Sequence, residues 1–162
     1  MTGDTAPTEH TVPSPMPPAT RVPRGERVLA GLLGTGCLAV MVLAAWLDPS
    51  PEGHGTHTQI GLNECTWVML FDTPCMTCGM TTAYAHAADA EFGASFTTQP
   101  MGMVLSVATA ATFWLTLLVA ATGSTLGRSF ARMLTSRVLI VLLLMGAAAW
   151  AYKILTWPTT PV

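Results

Sequence analysis

Residues 28–47 read VLAGLLGTGCLAVMVLAAWL, twenty positions without a charge. At about 1.5 Å of rise per helical residue the run reaches roughly 30 Å, the thickness of a bilayer's hydrocarbon core. Arg21, Arg24 and Arg27 stand in front of it, a flank that suits a signal peptide as well as an anchor. A signal peptide's apolar region is only about 7–15 residues, so the longer run reads as a transmembrane helix. Two further segments have the same character. Residues 101–122, MGMVLSVATAATFWLTLLVAAT, are entered through Gln99-Pro100, and proline suits a first helical turn. Residues 138–157, VLIVLLLMGAAAWAYKILTW, carry one charge, Lys153, near the end, where a long side chain is expected to snorkel to the headgroups. Trp46, Trp150, Tyr152 and Trp157 fall at matching ends of the first and third segments, as an interfacial aromatic belt does.

Composition points the same way. Only 10% of the 162 residues are charged and the mean hydropathy is +0.49, whereas soluble domains carry roughly 25% charged residues. A net charge of −2 without a basic stripe argues against nucleic acid as a partner. No phosphate-binding loop, dinucleotide fingerprint or Ser/His/Asp set is present, which leaves hydrolase, kinase and dehydrogenase chemistry without residues. The spans lack the carboxylates and histidines of an ion pathway.

The six arginines set the expected topology. Arg21, Arg24 and Arg27 precede the first span, Arg128, Arg132 and Arg137 lie between the second and third, and residues 48–100 contain no Lys or Arg. The positive-inside rule then places the N-terminus and residues 123–137 in the cytoplasm, with residues 48–100 outside. Residues 1–23 hold Pro7, Pro13, Pro15, Pro17, Pro18 and Pro23 among Thr, Ala and Ser and read as a disordered cytoplasmic tail. The expected fold is an all-α integral membrane protein with three transmembrane helices and short interfacial helices in an extracytoplasmic cysteine-containing loop. Small residues recur four apart at Gly31, Thr35 and Ala39, at Gly102, Ser106 and Ala110, and around Gly146. Such spacing predicts close packing of the chain's own helices, with a dimer face as the alternative. The expected partners are the lipid bilayer, other membrane proteins or a second copy.

Any chemistry lies in residues 63–100, NECTWVMLFDTPCMTCGMTTAYAHAADAEFGASFTTQP, with Cys65, Cys75 and Cys78. Cys37 stands apart, mid-span, as a small packing residue. The pattern of Cys65, Pro74, Cys75, Cys78, Gly79 and Thr81, followed by Asp89 and Gln99-Pro100, resembles small bacterial membrane proteins of domain-of-unknown-function family 2752. Their usual pattern is C, about ten residues, P-C-P-x-C-G-x-T-R, then Asn-Pro before an apolar helix. Met76 stands here for the second proline and Thr82 for the arginine. The resemblance implies a membrane protein but no activity.

The residues themselves allow three readings. Pro74 suits a helix start, which would put Cys75 at a helix N-terminus with a stabilised thiolate and Cys78 one turn on, a thiol–disulfide exchange pair. The knuckle C-x-x-C-G with Cys65 as a third thiolate is also the form of a zinc site, the fourth ligand to come from His54, His57, Glu64 or His86. The simplest reading is a structural disulfide from Cys65 to Cys75 or Cys78, since disulfides persist outside the cytoplasm. Residues 67–71 are too short to span and are expected in the interface. Thr77, Thr81 and Thr82 are expected to bond to nearby backbone, and Asp89 and Glu91 to be solvated. The functional expectation is a non-enzymatic scaffold or accessory subunit whose cysteine cluster is a structural disulfide or zinc knuckle. The alternative is a membrane thiol-disulfide oxidoreductase using Cys75 and Cys78.

Overall fold

The computed structural model describes residues 22–133 and 135–157. It is helical throughout, with no strand among the described residues. The order is α1 (Arg24–Trp46), a 3-10 turn (Thr56–Ile60), α2 (Thr66–Phe71), α3 (Met80–Ala88), α4 (Phe92–Thr98), α5 (Pro100–Thr122), α6 (Leu126–Met133) and α7 (Ser136–Leu155). Three helices, α1, α5 and α7, are long and apolar enough to cross a membrane, and they contain nearly all of the three apolar segments. The expected all-helical membrane architecture with shorter accessory helices is therefore present.

The helix ends follow local chemistry. Pro23 stands immediately before α1, and the chain leaves that helix in extended conformation at Leu47. Pro100 sits in the first turn of α5 with Gln99 as the preceding cap. Gly123 closes α5 in a left-handed conformation, its N–H bonding to the Val119 carbonyl, as a glycine after a helix commonly does. The expected tail lies outside the described residues up to residue 21, but its last residues are ordered. Val22 is buried and its N–H donates to the Gly123 carbonyl at 3.0 Å. Beside it, the Arg27 guanidinium donates to the Ala120 carbonyl at 2.7 and 3.0 Å and to that of Ala121 at 3.1 Å, where a cation satisfies the open C-terminal carbonyls of α5.

The principal packing is α1 along α5, with α3 wedged against both and against α4. Small residues do permit the close approaches, though not all at the expected positions. A Cβ on Gly34 would lie 2.8 Å from Thr116 Oγ1, and one on Gly102 would lie 2.7 Å from the Ala83 Cβ. Gly31 and Gly146, expected in helix interfaces, have nothing within 4 Å of a Cβ position. The buried stripe of α1 runs through Ala30, Gly34 and Ala44, not through the expected Gly31, Thr35 and Ala39. Helix α7 leans only lightly on α5 and leaves Leu139, Ile140, Leu143 and Leu144 exposed. In a bilayer those side chains meet lipid at no cost. Residues 123–137, expected as a plain loop, contain α6.

Candidate functional site

The segment between α1 and α5 folds back on itself at one end of the bundle, and the three cysteines lie there. Cys65 occupies the position before α2, and its sulfur lies 3.6 Å from that of Cys75. The Cys75 sulfur also lies 3.4 Å from the Thr77 hydroxyl. Residues 76–79 form a turn, with the Cys78 N–H bonding to the Cys75 carbonyl and the Met80 N–H to the Thr77 carbonyl, both at 3.0 Å. Helix α3 begins only at Met80. This corrects the expectation that Cys75 and Cys78 share the first turn of a helix: Gly79, at φ 81°, bends the chain before the helix can start. Cys75 thus lies ahead of the helix and not at its amide-rich end.

Ionisation is favoured at Cys65. The backbone amide of Val68, with help from the Cys75 thiol and the Trp67 amide, holds its pKa below the ordinary value against the opposing effect of desolvation. These amides belong to the first turn of α2, where free N–H groups and the helix dipole favour negative charge. Cys78 is the opposite case. It is 7% exposed, and burial, then the nearby Cys75 sulfur, push its thiol up to about 11 despite the opposing charge of Lys153.

A prediction follows for the reduced protein. At pH 8 an alkylating reagent is expected to label Cys65 at least about ten times faster than Cys78, because only thiolate reacts. Equal rates, measured by mass spectrometry of the labelled peptides, would contradict this assignment. The sign of the stability dependence is also fixed. A folded thiol pKa above the ordinary value of about 8.5 means the folded state keeps a proton that the unfolded chain has lost. The stabilisation from burying neutral Cys78 is therefore complete below about pH 8.5 and fades as pH rises through about 11.

The turn is held from below by residues far away in sequence. Trp150 Nε1 donates to the Pro74 carbonyl at 3.0 Å, and Lys153 Nζ donates to the carbonyls of Gly53 and Thr98, each at 3.1 Å. Tyr152 OH donates to the Thr97 carbonyl at 3.0 Å. Lys153 is only 8% exposed, so it does not snorkel to headgroups. The end of α7 thus ties the cysteine turn, the loop around Gly53 and the α4–α5 junction together. Gln99 is fully buried, its Nε2 donating to the Met76 carbonyl at 3.3 Å while its Oε1 has no protein partner among the described residues. Thr82 also departs from expectation. Its hydroxyl pairs with that of Thr56 at 2.8 Å in the buried interior, and Thr56 Oγ1 in turn accepts from the Ser50 N–H.

The candidate fourth ligands are not brought to the cysteines. His54 stacks on Trp157 and lies 3.8 Å from the Glu52 carboxylate, and His57 meets the Asn63 carbonyl. His86 pairs with Glu91 at 2.8 Å, and the Glu91 carboxylate stays exposed, as expected. Glu64 is exposed. Among the described residues no three His, Cys, Asp or Glu side chains form a group that could hold a metal ion. Of the sequence-derived site residues, the structure brings the free thiols of Cys65 and Cys75 side by side and leaves Cys78 buried nearby. Nothing in the sequence places Lys153, Trp150 and Gln99 at this turn, although a lone cation in an otherwise uncharged span is a usable signal.

No curated protein and no solved structure matches the chain. Residues 65–114, from the first cysteine of the cluster into α5, match the model of the family described as "Protein of unknown function (DUF2752)", in line with the resemblance carried by the cysteines.

Proposed function

We propose that this is a non-enzymatic membrane scaffold or accessory subunit whose Cys65–Cys75 pair forms a structural disulfide on the extracytoplasmic side. The N-terminus and residues 123–137 face the cytoplasm in this reading, as the arginine distribution favours. The observation that carries it is the 3.6 Å separation of the Cys65 and Cys75 sulfurs, at a place where small side-chain rotations bring two thiols to bonding distance. The bond would staple α2 to the cysteine turn. Helix α2 exposes Trp67, Met69, Leu70 and Phe71, side chains that suit the outer lipid interface or another membrane protein. The staple then fixes where this apolar surface sits on the bundle.

The zinc reading has weaker support, because two sulfurs without a third and fourth donor do not make a tetrahedral site. The exchange reading through Cys75 and Cys78 also has weaker support. Cys78 is buried, and its raised pKa makes it a poor attacking thiol near neutral pH. Closing a loop of about ten residues stabilises by about 3 kcal/mol in the chain-entropy model. Cys65→Ser and Cys75→Ser are therefore each expected to destabilise the oxidised protein by about that amount, and the double variant by no more than either single one. Thermal unfolding in mild detergent reads this directly. Equal losses for Cys65→Ser, Cys75→Ser and Cys78→Ser would point to a three-thiolate metal site instead. A Cys78→Ser variant that traps a mixed disulfide with another protein would point to exchange.

A further inference from the structure

Helix α6, Leu126–Met133, joins two spans away from the cysteine end and rests on α5 through Gly127, whose Cβ position lies 3.2 Å from Val119 Cγ2. Leu126 and Phe130, four apart, share one face, while Arg128 and Arg132 share the opposite one. Leu126 is 53% and Phe130 46% exposed, large apolar side chains left about half open. The Arg128 guanidinium donates to both oxygens of the Glu26 carboxylate at 2.6 and 2.9 Å. The arginine face of α6 is thus latched to the start of α1 and the apolar face is turned away from it. Two of the arginines at this end are engaged, Arg27 on the carbonyls that end α5 and Arg128 on Glu26. Arg24, Arg132 and Arg137 are exposed and form no ion pair among the described residues.

A helix of eight residues is too short to cross a bilayer, yet both its ends lead into helices long enough to do so. That tethers it at the membrane surface. Exposed aromatic and aliphatic side chains on one face, with arginines on the other, are the makeup of a helix lying in the interface. Arginine stems reach several ångströms while keeping their charge at headgroup level. An anionic leaflet attracts each arginine near it by roughly five-fold in affinity. We infer that α6 is an in-plane anchor, laying Leu126 and Phe130 among the acyl chains while Arg24, Arg132 and Arg137 gather anionic phospholipid headgroups. The Glu26–Arg128 pair holds the anchor in register with α1.

The test uses the full-length protein in mild detergent micelles holding equal phosphatidylglycerol and phosphatidylcholine, with retained lipid counted by native mass spectrometry. The expected result is at least a five-fold preference for phosphatidylglycerol. Arg132→Gln with Arg137→Gln should bring that preference close to one-to-one, and Arg132→Lys with Arg137→Lys should keep most of it. Phe130→Ser should lower retention of both lipids, since it removes the acyl contact and not the charge. Millimolar inorganic phosphate should leave the retained lipid in place. No preference in the wild type, a preference untouched by the glutamine pair, or full displacement by phosphate alone would each overturn the inference.

Discussion

Replacing Gly79 with alanine is expected to destabilise the protein by about 3 kcal/mol or more, enough to deplete the folded form during expression. Two separate costs meet at this position. Its φ of 81° lies in the left-handed region, where a Cβ costs roughly 1–2 kcal/mol. The added Cβ would also lie 2.6 Å from the Gly53 carbonyl oxygen and 3.2 Å from Lys153 Nζ. The first of these is backbone, held in place by Lys153, and cannot swing aside as a flexible side chain would. Gly61→Ala is the internal control. Gly61 has nearly the same φ, 80°, but nothing within 4 Å of its Cβ position, so only the conformational cost of about 1–2 kcal/mol applies. Thermal unfolding of the two variants in one detergent separates strain from collision. Equal losses would show that the turn is not pressed against Gly53.

Lys153→Met is the second large effect, expected at about 3 kcal/mol and localised. The ammonium makes two charge-assisted hydrogen bonds to backbone carbonyls, each worth roughly 1.5–3 kcal/mol net. Methionine fills much of the same volume, so the loss reports the missing donors more than a cavity. Because α7 packs only lightly against α5, these bonds and those of Trp150 and Tyr152 are what fasten its end to the rest of the molecule. Hydrogen exchange should accelerate in peptides covering residues 50–62 and 76–82, while the α1–α5 pairing stays protected. Tyr152→Phe removes one hydrogen bond at an exposed edge and is expected to cost about 1 kcal/mol or less. Unchanged exchange in Lys153→Met would mean that α7 is held by something other than its polar end.

How much of this was legible in the sequence depends on the range of the forces involved. The three long helices were plain, because twenty uncharged residues have few alternatives in water or lipid. The short helices α2 and α4 were foreshadowed by residues 67–71 and by the four-residue spacing of Phe92 and Phe96. Leu126, Phe130, Arg128 and Arg132 of α6 show the same periodicity, but arginines beside a span also carry the topology signal, and that signal alone implies no helix. At the site, local chemistry misled in one respect. Pro74 does not open a helix, since Gly79 must turn left-handed to pass Gly53 and Lys153, contacts that no local pattern encodes. The destination of Lys153 was hidden for the same reason. A lysine near the end of a span can reach headgroups or buried carbonyls, and which of the two it finds depends on a loop a hundred positions earlier in the chain. The pairing of Thr56 with Thr82 is likewise a meeting of two distant threonines whose local surroundings predict nothing of the kind.

The central claim is the state of the three thiols at the cysteine end. Protein purified in mild detergent without reductant is to be alkylated, digested and mapped by mass spectrometry, with zinc assayed on the same sample. The account predicts a Cys65–Cys75 disulfide, a free Cys78 that labels only after unfolding, and no stoichiometric zinc. About one zinc per chain, with Cys65, Cys75 and Cys78 all released for labelling by a chelator, would contradict it. So would a Cys75–Cys78 disulfide that mild reductant opens.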